Sequence, residues 1–335
     1  MIQAPAASPE ALHPDSDLLN AIRAEALGGL NVPAGQQKTL PPWLFYDEAG
    51  SALFEKITDL PEYYLTRAER SIFAQNADEI VGSAGCPVTI AELGSGTASK
   101  TGLLLAAAAK RQPELLYQPI DVSPSAVELA AGAIRAAIPN VVVRPQIANY
   151  ITNGYKIERI DDCSVLALYI GSSIGNFGPD EARSILRKLR KQVKNVGDAI
   201  LLGVDLAPNR DKSVEELVAA YDDAGGVTAE FNKNLLVRLN RELGADFDLD
   251  NFNHRAFWNP QDSRIEMYLE SKGAQTVHID DLQIAFAPGE TIHTENSYKF
   301  TERGLREMLH DCGYSSPQWF QDADHHFGVA LAYPV

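Results

Sequence analysis

The architecture of this chain is indicated by one stretch, Val88-Thr89-Ile90-Ala91-Glu92-Leu93-Gly94-Ser95-Gly96-Thr97-Ala98-Ser99-Lys100-Thr101. Its apolar, β-branched first half ends in a Gly-x-Gly turn, and an alanine- and leucine-rich run follows at once. The pattern predicts a strand, a tight turn and a helix, which together form the first βα unit of a doubly wound sheet. Glycines in the turn let the backbone approach a ligand, and the helix N-terminus offers free N–H groups.

Three residues near the turn indicate which ligand it accepts. A dinucleotide fingerprint has a third glycine where this chain has Ser99. Glu92 precedes the first glycine, where a negative charge opposes a pyrophosphate and suits a cationic ligand. Asp121 ends the next predicted strand and can accept from ribose hydroxyls. S-adenosylmethionine (SAM), a cationic nucleoside without phosphates, fits better than NAD; for this stretch taken alone, an ordinary ligand-free turn is the alternative.

Length, net charge and cysteine content restrict the class of protein. A length of 335 residues predicts one large or two interlocked domains, and a formal charge of −16 argues against nucleic-acid and anionic-membrane partners. Cys86, Cys163 and Cys312 lie far apart and in no CxxC pattern, so we expect free thiols in a reducing cytoplasm and no zinc site. There is no run of 18 apolar residues and no signal peptide, and we expect a cytoplasmic monomer.

A regular alternation of strands and helices follows the opening stretch. It predicts a mostly parallel sheet with right-handed crossovers, whose ligands bind outside the carboxyl ends of the strands. The predicted strands lie near 88–93, 116–122, 140–147, 164–170 and 198–205, and the predicted helices near 101–110, 124–137 and 179–193. The residues at the strand ends are Gly94, Asp121, Asn149, Gly171 and Asp205.

The segments on either side of this alternation predict a second unit. Before it, we expect an amphipathic helix at 15–27 ended by Gly28-Gly29, an aromatic-rich segment at 40–67, and a helix that begins at a Thr66–Glu69 capping box and runs to about Glu79. After Asp205 come helices near 213–221 and 228–243 and strand-like runs at 264–271 and 275–279. A predicted helix at 301–312 and a predicted strand at 327–333 then resume the alternation of helices and strands.

These segments divide the chain into a flexible tail and two predicted domains. Residues 1–14 form the tail, and 15–66 plus 212–298 form a discontinuous substrate-binding domain. Residues 67–211 plus 299–335 form a Rossmann-like, SAM-binding α/β domain, and the substrate cleft is expected between the two domains. A run that could imitate a metal site, Asp322 to His326, is interpreted as a polar loop because adjacent side chains diverge in extended chain, and no metal is expected.

Several longer motifs give the chain a family resemblance. It resembles the histidine-specific, SAM-dependent N-α-methyltransferases of ergothioneine biosynthesis, which trimethylate the α-amino group of L-histidine to give hercynine. The resemblance extends from about Trp43 to the C-terminus. It rests on Phe45-Tyr46-Asp47-x-x-Gly50-Ser51-x-Leu53-Phe54, Leu60-Pro61-Glu62-Tyr63-Tyr64-x-Thr66-Arg67, Glu92-Leu93-Gly94-Ser95-Gly96-Thr97, Gly171-Ser172-Ser173-Ile174-Gly175-Asn176, Ala220-Tyr221-Asp222-Asp223-Ala224-x-Gly226-Val227-Thr228, Arg264-Ile265-Glu266-Met267 and Thr294-Glu295-x-Ser297-x-Lys299-Phe300.

The resemblance implies a role for individual residues. Cofactor contacts are implied for Gly94, Lys100, Asp121, Asn149 and Tyr150; the family usually has an acidic residue and a Phe at the last two positions, so a charge is lost here. The implied catalytic tyrosines are Tyr46, near the substrate nitrogen, and Tyr63. Implied contacts to L-histidine are Tyr63, Gly171, Asn176 and Tyr221 around the amino acid, Met267 at the side-chain pocket, and Glu295 and Ser297 at the imidazole.

Glu295 separates the candidate activities. A buried carboxylate can accept from an imidazole N–H and favour the charged form of histidine, whereas against the carbon edge of an indole the acceptor would stay unpaired at a cost of about 1–3 kcal/mol. The alternative within the class is methylation of another aromatic amino acid such as tryptophan. A nicotinamide-dependent oxidoreductase is the rival of a different class, and Ser99 counts against it; a non-catalytic SAM-binding module is the third alternative.

Overall fold

The computed structural model describes residues 14–96, 98, 100–151, 154–160 and 162–335. Residues 1–13 of the predicted tail, and also Thr97 and Ser99, lie outside the described residues, and Pro14 begins the first helix. The helices in the described part are α1 (Pro14–Leu30), α2 (Glu48–Thr58), α3 (Tyr64–Ser83), α4 (Thr101–Ala109), α5 (Pro124–Ala137), α6 (Pro179–Gln192), α7 (Val214–Ala219), α8 (Val227–Leu243) and α9 (Glu302–Asp311), with 3-10 turns at Pro42–Phe45, Ser173–Asn176 and Leu249–Asn251.

The strands of the described part form three sheets. They are β1 (Lys38–Thr39), β2 (Val88–Leu93), β3 (Leu115–Asp121), β4 (Val141–Val143), β5 (Gln146–Ile147), β6 (Ser164–Tyr169), β7 (Ala199–Asp205), β8 (Phe252–Asn259), β9 (Arg264–Ser271), β10 (Gln275–Ile279), β11 (Leu282–Phe286), β12 (Thr291–Tyr298), β13 (Gln318–Gln321) and β14 (Phe327–Ala332). None of the helices in the described residues is long and apolar enough to cross a membrane.

The large sheet has the order β13-β14-β7-β6-β2-β3-β4, with β5 also paired to β3. Strands β2 to β7 pair in parallel, whereas β14 runs antiparallel to β7 and β13 antiparallel to β14. Alternate residues of β6 enter two separate cores, one with α3, α4 and α5 and the other with α6 and α9. The predicted doubly wound α/β sheet is therefore confirmed, and its central strands are apolar on both faces as such sheets require.

A second sheet has the order β1-β12-β9-β8. It joins residues 38–39 to the segment 252–298, and α8 packs on β8 and β9 as well as on α2. The sequence predicted β9 and β10 correctly but missed β8, β11 and β12 as well as the short β1. In β8 the burial is only partial and polar residues such as Asn253 and Arg255 interrupt the apolar pattern, so its alternation is weak.

The predicted ends of two N-terminal helices are wrong. Helix α1 continues through Gly28 and Gly29 to Leu30. A Cβ at position 29 would lie 2.1 Å from the carbonyl oxygen of Thr39, so this glycine permits close approach of β1. Helix α3 begins at Tyr64, and the predicted capping box does not form because the fully buried Glu69 accepts from Lys100 and from the backbone N–H of Gly171.

One further predicted strand differs, and side chains anchor two of the loops. The predicted strand at 140–147 is divided into β4 and β5. Asp223 accepts from the N–H groups of Val227 and Thr228 at the start of α8, as expected of a cap. In the 322–326 loop, Asp322 accepts from two backbone N–H groups; no group of three or more possible metal ligands occurs within the described ranges.

Asp198 provides a test of how the large sheet is anchored. Its buried carboxylate accepts from both Nη atoms of Arg159 and from the N–H groups of Val165, Lys194 and Asn195, at 2.8–3.0 Å. We expect Asp198→Ala to lower the free energy of unfolding by about 2–4 kcal/mol in urea titrations, because these donors lose their acceptor. The exposed Asp324→Ala should change it by less than about 0.5 kcal/mol, and equal effects would contradict the anchoring role.

Candidate active site

One cavity brings together all eight residues predicted to be catalytic or to bind substrate. Tyr46 follows the Pro42–Phe45 turn, Tyr63 precedes α3, and Tyr221 follows α7. Gly171 and Asn176 come from the loop after β6, Met267 from β9, and Glu295 and Ser297 from β12. The rest of the lining consists of Phe54, Ile57, Leu65, Ser172, Ser173, Ala220, Thr228 and Phe231.

A chain of edge-to-face aromatic rings forms one side of the cavity. Ring centroids are 5.8 Å apart for Tyr46 and Phe54, 6.2 Å for Phe54 and Tyr63, and 6.3 Å for Tyr63 and Tyr221. Burial raises the pKa of each of these tyrosines well above its usual value. The hydroxyls therefore stay protonated and offer hydrogen bonds without adding a charge.

Another part of the cavity lining is built by the pairing of β12 with β9. Glu295 is opposite Met267 in this pairing, and an irregularity between His293 and Glu295 shifts the register. Glu295 and Ser297 are two residues apart on the strand and both line the cavity. Burial raises the pKa of Glu295 to about 7, although the charge of Lys299 opposes the shift. The cavity is therefore lined by a carboxyl group that titrates near neutrality.

The loop after β6 is held in an unusual backbone conformation. Gly171 has φ of 74° and Ser172 has φ of 59°, so two consecutive residues lie in the left-handed region. The carboxylate of Glu69 accepts from the N–H of Gly171, and the hydroxyl of Ser172 accepts from the N–H of Asp205. A Cβ at Gly175 would lie 2.8 Å from the carbonyl oxygen of Tyr298. These contacts set the path of the loop that carries Asn176.

A buried ionic cluster that sequence reasoning missed lies next to the substrate cavity. Asp205 accepts from Lys212 at 2.5 Å, from Lys299 at 2.8 Å and from the hydroxyl of Tyr64 at 2.9 Å. The side chains of both lysines and of Asp205 have no exposed surface. Although burial raises it, the charges of the two lysines hold the pKa of Asp205 below its usual value. Lys299 in the last sequence motif and Asp205 at a strand end were the available signals.

Lys299 connects this cluster to the cavity lining. Its ammonium group donates to the hydroxyl oxygens of Tyr221, at 2.7 Å, and Ser297, at 2.8 Å. The two hydroxyl oxygens are themselves 2.9 Å apart. Two of the predicted substrate contacts are thus fixed by one residue that does not line the cavity.

The predicted cofactor residues gather at the carboxyl ends of β2 and β3. Gly94 has φ of 66°, and a Cβ there would lie 3.5 Å from the hydroxyl of Tyr150. Asp121 accepts from the N–H of Gly96 at 3.0 Å, and Lys100 donates to Glu69 at 2.5 Å. Asn149 is exposed and accepts from the N–H of Ile151.

This edge fits a nucleoside with a carboxylate-bearing tail. Each oxygen of the half-buried Asp121 accepts one backbone N–H, which leaves lone pairs for ribose hydroxyls. Lys100 is 19% exposed and can meet an anionic group despite its contact with Glu69. Glu92 differs from its expected role because its buried carboxylate accepts from Thr101 and Tyr117, and burial raises its pKa to about 7.

The mostly parallel sheet, with the predicted ligand edge at the carboxyl ends of its strands, is of the Rossmann-like α/β class. A family model described as histidine-specific, SAM-dependent methyltransferase matches residues 22–334. This chain therefore belongs to the histidine-specific, SAM-dependent methyltransferase family.

Curated relatives span almost the whole chain. A histidine N-α-methyltransferase of Mycolicibacterium smegmatis is 41% identical over 93% of this chain and 94% of its own length. Another, from Mycobacterium tuberculosis, is 40% identical over the same shares of the two chains. Ergothioneine biosynthesis protein 1 of Schizosaccharomyces pombe is 30% identical over 81% of this chain and 35% of that protein. The family resemblance seen in the motifs is confirmed.

The raised pKa of Glu295 predicts a cost in stability. The folded protein holds a proton that the unfolded chain releases, so wild-type stability falls as pH rises from the usual carboxyl range through about 7. We expect the stability of Glu295→Gln relative to wild type to increase by about 1–2 kcal/mol between about pH 5.5 and pH 8. Urea unfolding measures this change, with the exposed Glu128→Gln as control; a constant difference for Glu295→Gln would refute the shift.

Proposed function

We propose that this protein transfers three methyl groups from SAM to the α-amino group of L-histidine and thereby forms hercynine in ergothioneine biosynthesis. One observation carries the proposal. The same cavity is lined by three tyrosines and the amide of Asn176, and also by one carboxyl group, Glu295, two residues before Ser297 on β12. Uncharged polar groups together with one carboxyl group match an amino acid whose side chain is an imidazole.

In the proposed complex, Asn176 and the hydroxyl of Tyr63 hold the carboxylate and the amine of histidine, and the hydroxyl oxygen of Tyr221 accepts from the amine. Glu295 and Ser297 bind the imidazole, and Met267 limits the width of the side-chain pocket. Gly171 lets the loop approach the ligand, since its backbone conformation disfavours any side chain. Tyr46 lines the same cavity and is proposed to contact the nitrogen that receives the methyl group.

The reaction needs an amine lone pair in line with a methyl carbon, which SAM supplies on a cationic sulfur. Positioning is therefore the main contribution of the protein. An α-amino group has a pKa near 8, so the cavity does not need a strong base to obtain the neutral amine. Protonated tyrosines orient the nitrogen and, unlike a lysine, do not repel the cationic product.

SAM is proposed to bind at the edge formed by Gly94, Asp121, Asn149 and Tyr150. Asp121 would accept from the ribose, Asn149 and Tyr150 would contact the adenine, and Lys100 would meet the methionine carboxylate. The amide of Asn149 can donate as well as accept, so it can recognise a base edge without the charge usual in the family.

We also propose the domain division given by the sequence, 15–66 plus 212–298 against 67–211 plus 299–335. The pairing of β1 with β12 and the contact of α2 with α8 support it, and the cavity takes residues from both parts. Within the described part of the chain, Cys86, Cys163 and Cys312 form no disulfide, and we propose a reducing cytoplasm as the location of the protein. A monomer without a nucleic-acid or membrane partner and without a metal ion remains our proposal.

Methylation of tryptophan is the second candidate function. An indole offers one N–H and no bare ring nitrogen, so it would leave either Glu295 or Ser297 without a partner. A hydride-transferring dehydrogenase has no support from the family relationship.

The decisive experiment is mass spectrometry of the purified protein with SAM and either L-histidine or L-tryptophan. We expect three methyl additions to histidine and none to tryptophan, because only the imidazole satisfies both Glu295 and Ser297. Products from tryptophan alone would replace the proposed substrate while leaving the methyltransferase class intact, and no product from either would refute the proposed activity.

A second prediction concerns Glu295→Ala. Loss of the carboxylate should lower kcat/KM for histidine by about 10–100-fold, corresponding to one charge-assisted hydrogen bond, and should change SAM affinity less than twofold. Steady-state kinetics and calorimetry with SAM measure the two effects separately. Glu302→Ala, an exposed change on α9, is the matched control, and an unchanged kcat/KM in Glu295→Ala would refute the assigned role.

A further inference from the structure

The hydroxyl pair of Tyr221 and Ser297 has few hydrogens to share. Lys299 directs three contacts, to Asp205, Tyr221 and Ser297, at 2.7–2.8 Å. These three contacts use all three hydrogens of an ammonium group, which cannot accept. The oxygens of Tyr221 and Ser297 therefore each accept from Lys299, and one of them donates to the other.

Only one hydroxyl hydrogen is then left for a ligand. A phenol is a stronger acid than an aliphatic alcohol and hence the better donor, so Tyr221 donates to Ser297. Ser297 accepts from Lys299 and from Tyr221, which occupies both of its lone pairs. Its single hydrogen remains and is available to the cavity, which Ser297 lines beside Glu295. Ser297 can donate to a ligand but has no lone pair with which to accept.

We propose that Lys299 is a positioning residue that makes Ser297 a pure donor, so that the cavity selects the neutral imidazole of histidine. This inference rests on the proposed function. The bare ring nitrogen accepts from Ser297, and the ring N–H donates to Glu295. An imidazolium would direct a second N–H at an oxygen without a free lone pair and place its charge next to that of Lys299. The expectation that Glu295 favours charged histidine is thereby reversed.

Several other ionisable side chains surround the hydroxyl pair. Glu295 and Lys299 belong to β12 and its continuation, Asp205 ends β7, and Lys212 follows it. Tyr63, Tyr64 and Glu69 approach from α3 and its start, and His254 of β8 contacts the carbonyl oxygen of Tyr221. In the proposed complex only Glu295 among these groups contacts the ring, and titration of the others acts on every ligand alike. The test therefore compares two ligands that both offer a ring N–H to Glu295 and differ in ring basicity.

The test is the ratio of kcat/KM for L-histidine to kcat/KM for L-1,2,4-triazolylalanine, measured from about pH 7.5 to about pH 5.5. The triazole ring has an N–H and bare nitrogens but is too weak a base to become charged in this range. If only neutral imidazole is accepted, the wild-type ratio falls about tenfold, as the neutral fraction does for a pKa near 6.5. Both ligands carry an α-amino group and offer a ring N–H to Glu295, so titration of the amine and of Glu295 acts on both and cancels in the ratio.

Lys299→Met frees one lone pair of Ser297, while Asp205 keeps Lys212 and Tyr64 as partners. In this variant the ratio should change less than twofold over the same range, because imidazolium is now accepted. Lys212→Met is the matched control: it removes an equally buried lysine from the same carboxylate but has no contact with the hydroxyl pair, so its ratio should follow wild type.

Tyr221→Phe frees the other lone pair of Ser297 and should flatten the ratio even if Lys299→Met does not fold. A flat ratio in the wild type, or a full tenfold fall in both Lys299→Met and Tyr221→Phe, would overturn the inference. So would a flat ratio in Lys212→Met. Absence of any methylated histidine from the wild type would instead refute the proposed function, so the two failures are distinguishable.

Discussion

The carboxylate of Asp205 is the contact on which the arrangement of the active site depends. It ends β7, the last parallel strand of the large sheet along the chain, and accepts from Tyr64 at the start of α3 and from Lys299 just after β12. The backbone of the same residue bonds to Ser172 in the loop after β6 and to Phe300. One residue of the large sheet therefore fixes the position of three separate segments that line the cavity.

Burying Asp205 with two lysines costs free energy if the three groups are considered alone. Removing two ammonium groups and a carboxylate from water carries a desolvation penalty that their attraction only partly offsets, and apolar residues of the same size often stabilise a core better. Lys212 completes its hydrogen bonds with the carbonyl oxygen of Leu206, and Lys299 completes its own with two hydroxyls. The lysines of the cluster thus have hydrogen-bond acceptors, and the contribution of the cluster lies in fixing directions: the hydroxyls of Tyr221 and Ser297 each have only one orientation left.

The parts of the structure that the sequence predicts well are those set by local pattern. The strand at Val88–Leu93 and the helix at Pro124–Ala137 have the predicted bounds, because a continuous apolar run and a Ser-Pro start are local signals. The residues gathered in the cavity were found through motifs. Glu69 was misinterpreted as part of a capping box, because its true partners, Lys100 and Gly171, are 31 and 102 residues away in the sequence. The motif that contains Lys299 does not indicate what this lysine binds, because its partner Asp205 is remote from it in sequence.

The charge distribution of the cavity follows the demands of repeated methylation. Each transfer moves a positive charge from the sulfur to the amine nitrogen, and the next transfer requires that nitrogen to lose a proton first. A carboxylate beside the amine would stabilise the protonated form and raise its pKa, so it would slow the second and third steps. Tyr46, Tyr63 and Asn176 carry no charge, and Glu295 is the one carboxyl group that lines the cavity with them. Burial raises the pKa of Glu295 to about 7, so this group is partly protonated near neutral pH and hinders deprotonation of the amine less than a fully ionised carboxylate would.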